Sequence, residues 1–161
     1  MVRRVAAHRR HATGQHCQNG LVASVSARAT RGVAASPQRV LEFLGDYRES
    51  RPRILTANFS DYHVDAGGDV IAYRFAAGGR EREYRLRVER SDGGLVERDE
   101  RSTFVSRWTV AADGEGARVT IESSWEGAGG IPGIFEGLFA PLGLRRIYRE
   151  MLDKLAAAVA T

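Results

Sequence analysis

Leu142-Gly-Leu-Arg-Arg-Ile-Tyr-Arg-Glu-Met-Leu-Asp-Lys-Leu-Ala-Ala-Ala-Val159 is the stretch on which the fold turns. Leu144, Ile147, Tyr148, Met151, Leu155 and Val159 recur at helical spacing, with Arg145, Arg146, Arg149, Glu150 and Asp153 between them. A helix of about 18 residues is roughly 27 Å long. With one apolar stripe, it needs an apolar surface of matching length to lie on.

The residues upstream supply that surface. Val25, Ala27 and Ala29 alternate with Ser24, Ser26, Arg28 and Thr30, which is strand period. Ile71, Tyr73 and Phe75 share one side of a later strand, as do Tyr84, Leu86 and Val88 in the next. Phe104, Trp108 and Val110 alternate with Thr103, Arg107 and Thr109; Val119, Ile121 and Trp125 alternate with Thr120, Glu122, Ser124 and Glu126. Glycine turns punctuate the series at Gly67-Gly68, Gly78-Gly79, Gly93-Gly94 and Asp113 to Gly116. One apolar and one charged face is the signature of an antiparallel sheet covered on one side. Ser36-Pro37 starts a helix whose face is Val40, Phe43, Leu44 and Tyr47; Gly45 and Pro52 break it into one or two short pieces. The expectation is an α+β fold. An antiparallel sheet is expected to grip a long C-terminal helix, with a short helix or two after the first strand.

The chain has 161 residues, 43% apolar and 27% charged, which fits one ordinary globular domain and excludes wholesale disorder. Its formal charge of +4 suggests a nucleic-acid binder until the charge is located. Residues 1–22 hold Arg3, Arg4, Arg9 and Arg10 and no acid, so the remainder carries 20 basic and 20 acidic groups and is formally neutral. A nucleic-acid surface concentrates its cations on the folded face that meets phosphate, so no nucleic-acid partner is expected. All but one of the basic residues are arginine, Lys154 being the exception, which suggests a GC-rich, bacterial genome.

Residues 1–22 read as a disordered basic tail and 23–161 as a single domain. His8, His11, His16 and Cys17 have ligand chemistry but lack the paired spacing of a metal site, so no metal or other cofactor is expected. The short run Leu21 to Val25 does not make a secretory signal, and translation starting near Val22 or Val25 is an alternative reading of the tail. With a single cysteine and no apolar run of membrane-spanning length, the expected location is cytoplasmic.

The order of elements, the glycine-rich stretch Gly127-Ala-Gly-Gly-Ile-Pro-Gly-Ile-Phe-Glu-Gly-Leu-Phe-Ala-Pro-Leu-Gly-Leu-Arg-Arg-Ile-Tyr148 and the Arg51-Pro52 pair resemble the SRPBCC superfamily over about residues 23–160. That superfamily includes START-like lipid-transfer domains and polyketide cyclase/dehydrase-like proteins. The resemblance implies the helix-grip fold, a curved antiparallel sheet of about seven strands wrapped on the long C-terminal helix with two short helices after the first strand, and a cavity between sheet and helix. It transfers no catalytic residue, because fold does not fix activity.

The inward-facing residues suit a cavity lining. Tyr73, Phe75, Tyr84, Phe104, Trp108 and Trp125 give aromatic walls, joined by Leu86, Ile121, Tyr148 and Met151. Ser106 and Ser123 fall on the same parity and bring hydroxyls inside. The same aromatics would equally fill a solid core. Phe135 and Leu138, behind flexible glycines, read either as a lid over the cavity mouth or as a permanently packed turn.

No phosphate loop, nucleophile elbow or HExxH is present, so the catalytic residues are unknown. His63 reads as a base or, more ordinarily, a surface residue; Tyr73, Tyr84 or a buried Arg101 would suit carbonyl polarisation. The run Glu97-Arg98-Asp99-Glu100-Arg101 reads as a charged edge with local ion pairs, and an unbroken strand turns one of its carboxylates or Arg101 inward. The leading expectation is binding or transport of a hydrophobic small molecule such as a lipid, isoprenoid or polyketide, with transient membrane contact compatible. The alternatives are a cyclase/dehydratase-type enzyme and a protein-binding regulator using the Phe135 to Phe139 surface. The oligomeric state is left open.

Overall fold

The computed structural model describes residues 24–126 and 141–160. The basic tail of residues 1–22 lies outside them. Seven strands, β1 (Ser24–Val33), β2 (Phe59–Val64), β3 (Val70–Ala77), β4 (Arg80–Ser91), β5 (Gly94–Asp99), β6 (Val105–Asp113) and β7 (Gly116–Glu126), form one sheet in the order β1-β7-β6-β5-β4-β3-β2. Every adjacent pair is antiparallel. The first two strands in sequence therefore stand at opposite edges, joined by α1 (Pro37–Gly45) and a 3₁₀ turn (Arg51–Ile54). The curved sheet and the helix α2 (Pro141–Val159) form a helix-grip fold, as the family resemblance implies; the antiparallel sheet and its long covering helix are what the periodicities predict.

Local chemistry explains the joints. Ser36 caps α1 by accepting from the Arg39 N–H at 3.3 Å, and Pro37 occupies the first turn, where its missing N–H costs nothing. Gly78 and Gly79 both have positive φ, the geometry a two-residue hairpin between β3 and β4 requires. Gly94 answers a different need: a Cβ there would overlap the Trp108 carbonyl across the β5–β6 ladder.

Parity sorts the side chains as the alternation implies. Ala27, Ala29, Ile71, Phe75, Tyr84, Leu86, Val88, Trp108, Val110, Val119, Ile121 and Trp125 are buried on the concave face, and Leu144, Ile147, Tyr148, Met151, Leu152, Leu155 and Val159 of α2 pack into it. The convex face pairs arginines with acids, as in Arg85 and Arg87 on Glu100 and Arg98 on Glu89. This arrangement accounts for a charged but balanced surface, with each exposed pair worth about 0–1 kcal/mol. Helix α2 is fastened by an Arg31–Asp153 ion pair to β1, by Lys154 donating to the Leu55 carbonyl at 2.8 Å, and by Arg39 donating to the Val159 carbonyl at 3.1 Å.

Candidate functional site

The space between α2 and the concave face narrows to a pocket of about 40 Å³. That volume holds a few water molecules and falls well short of the roughly 300–1,000 Å³ of a ligand-sized cavity. The reason is aromatic packing. Phe59 meets Tyr73 and Phe75 edge-on with ring centroids 5.1 and 5.0 Å apart; Tyr73 lies 5.5 Å from Tyr84, and Tyr84 5.1 Å from Phe104. A bound molecule of ordinary size would have to part these rings.

Tyr73, Phe75, Tyr84, Phe104, Ser106, Trp108, Ile121, Tyr148 and Met151 line this pocket together. Leu86 is fully buried but outside the lining. Ser123 sits behind Tyr148 with their hydroxyls hydrogen-bonded, and Trp125 backs Phe104 at 6.3 Å. Phe135 and Leu138 lie outside the described residues. His63 is exposed, with Nδ1 against the Asp61 carbonyl at 3.1 Å, and takes no part in the pocket.

The charged members of the lining are Arg51 and Glu97, which the sequence reading did not select. Arg51 enters from the 3₁₀ turn; its Nη2 donates to Glu97 Oε1 at 2.7 Å, and the two side chains are only 4% and 6% exposed. Tyr47 donates to the same oxygen at 2.8 Å. The guanidinium lies 4.0 Å from the Trp108 ring centroid and 5.4 Å from that of Tyr47, within cation–π range. The Glu97 to Arg101 run is therefore not an edge. β5 is the central strand of the sheet, and period two turns Leu95, Glu97 and Asp99 inward together. Arg101, past the strand's end, is exposed, so the inward arginine is Arg51. Carboxylates on an apolar parity were the available signal for Glu97. Arg51 stood out only in the Arg51-Pro52 pair of the family resemblance, and nothing local marked it as buried.

Asp99 is compensated separately: Arg82 reaches it at 3.2 Å and the Ser102 hydroxyl donates to it at 2.6 Å. The turn that delivers Arg51 is organised by Asp46. Its carboxylate accepts from the N–H groups of Glu49 and Ser50, both at 3.1 Å, and from the Ser50 hydroxyl at 2.8 Å. The Ser50 side-chain bond leads the contributions that hold this carboxyl below its ordinary value.

Burial pushes the Tyr47, Tyr73, Tyr84 and Tyr148 hydroxyls well above the ordinary phenol value, with the Glu97 charge adding to it at Tyr47 and Tyr73. All four are protonated at neutral pH. The pocket thus combines apolar rings, neutral hydroxyls and one internally balanced ion pair.

Residues 24–160 match a family described as polyketide cyclase/dehydrase and lipid transport. The chain belongs to this family. Among solved structures, the polyketide cyclase/dehydrase member is similar to the KanY protein studied by NMR, with 39% identity and a TM-score of 0.77 over 86% of this chain and 99% of that one. A Thermus thermophilus protein shares 22% identity at a TM-score of 0.64, over 84% and 97% of the two chains. The Zhui aromatase/cyclase from a Streptomyces species shares the fold at 13% identity and a TM-score of 0.65, over 86% and 94%. Comparison with curated proteins finds no significant match. Among the described residues of this family member, no helix is long and apolar enough to cross a membrane.

Proposed function

We propose that the protein binds a hydrophobic small molecule, of lipid, isoprenoid or polyketide type, between the sheet and α2. The observation that carries this is the pocket itself: an aromatic lining under the terminal helix, with its few polar groups gathered at Arg51, Glu97, Ser106 and the tyrosines. Binding requires the rings to move apart, so the ligand stabilises a wider state than the one described. Native mass spectrometry and thermal melts with farnesol, palmitate and indane test the reading. A one-to-one adduct with at least one of them, and a melting temperature rising with its concentration, is expected. No adduct and no shift with all three would falsify it.

A second reading, a cyclase/dehydratase-type enzyme, draws on the buried guanidinium and hydroxyls. Such groups, fixed in a water-poor site, stabilise charge developing on a carbonyl oxygen. Incubation with a linear poly-β-ketone thioester separates the two: turnover to a cyclised product supports the enzyme, and recovery of unchanged ligand supports the carrier.

A further inference from the structure

We propose that the pocket selects ligands carrying a neutral carbonyl-type oxygen, which accepts hydrogen bonds from Arg51 and Trp108. The inference rests on the ligand-binding reading above and specifies its chemistry. Arg51 commits its Nη2 to Glu97, but its Nη1 has no hydrogen-bond partner among the described residues, and neither has Trp108 Nε1. Both nitrogens are fully buried, on side chains that line the same pocket and stack on each other. Leaving a buried donor without an acceptor costs about 1–3 kcal/mol, so an apolar ligand against this wall is disfavoured relative to one that places an acceptor there.

The charge of that acceptor follows from its surroundings. Glu97 already neutralises Arg51, and Tyr47, Tyr73 and Tyr148 around the pair are held protonated. A ligand carboxylate would bring a second negative charge beside Glu97, with no further buried cation among the described residues to meet it. A ketone, ester or amide oxygen accepts the same N–H groups without that cost. The apolar walls then take the rest of the molecule.

Indane, 1-indanone and indane-1-carboxylate share one framework and differ at one position, so their affinities isolate the polar contact. Calorimetry on the full chain should show 1-indanone binding about tenfold tighter than indane, one hydrogen bond's worth or slightly more, and the carboxylate binding weakest. Trp108→Phe keeps a ring under the guanidinium and removes the N–H; it should lower the ratio of 1-indanone to indane affinity several-fold, whatever the smaller ring does to both. A readout independent of any variant is the infrared carbonyl stretch of bound 1-indanone in the unaltered protein, which should move to lower frequency than in hexane. Equal affinity for indane and 1-indanone, an unshifted carbonyl band, or tightest binding of the carboxylate would overturn the inference while leaving the hydrophobic pocket standing. Failure of all three compounds to bind would overturn the inference, and the hydrophobic-ligand reading would fall with it only if farnesol and palmitate also failed.

Discussion

Arg51 and Glu97 show what one buried pair asks of a fold. Removing a partner from such a pair strands the other charge, so Arg51→Met should cost about 3–5 kcal/mol in urea unfolding. Adding Glu97→Gln should restore most of it, because glutamine keeps an acceptor for the Tyr47 hydroxyl and carries no charge. A double variant no more stable than the single one would mean that Glu97 carries no stranded charge once Arg51 is gone. The pair was half legible in the sequence. Glu97 lies two residues from Leu95 and two from Asp99, on the side that parity turns inward. Arg51 was legible only as part of the Arg51-Pro52 pair and not as a buried group, since its burial is decided by β5 and β6, which are remote in sequence. Ser106 and Ser123 were legible for the same reason as Glu97: a polar residue on an apolar parity in a regular strand has one direction in which to point.

At the level of elements, periodicity carried the reading furthest where it was longest. α2 and the alternating faces of β1, β3, β4, β6 and β7 came out as expected. β5 was obscured because its run is short and carries acids on the parity where apolar residues belong, so it passed for a charged edge. Its true position explains Gly94. Although Gly93-Gly94 reads as a simple turn, Gly94 is also the first residue of the central strand, pressed against the Trp108 backbone. Gly94→Ala should therefore destabilise the protein by about 1–3 kcal/mol through forced displacement of β6, whereas Gly93→Ala, with open space around the added methyl, should cost less. Chemical denaturation of the two variants compares them directly. Equal losses would mean that the β5–β6 ladder absorbs the methyl without strain.

For the whole molecule, the contrast between an aromatic interior and a balanced, ion-paired exterior is what the composition foreshadowed once the tail's charge was set aside. The sequence left cavity and filled core both open, because whether aromatic rings leave a space depends on how they tilt against each other across strands. The topology also bears on how the chain is made. β1 pairs with β7 along its length, and Thr30 hydrogen-bonds a partner 90 residues later in the chain. At a translation rate of about 5–20 residues per second, β1 waits roughly 5–20 s for its neighbour to be made. During that interval it is an unpaired strand, and its alanines, Arg28 and Arg31 make it a poor template for stray association. On stalled ribosomes, protease resistance of β1 should appear only once β7 has cleared the exit tunnel; protection at shorter chain lengths would mean that β1 finds another partner first.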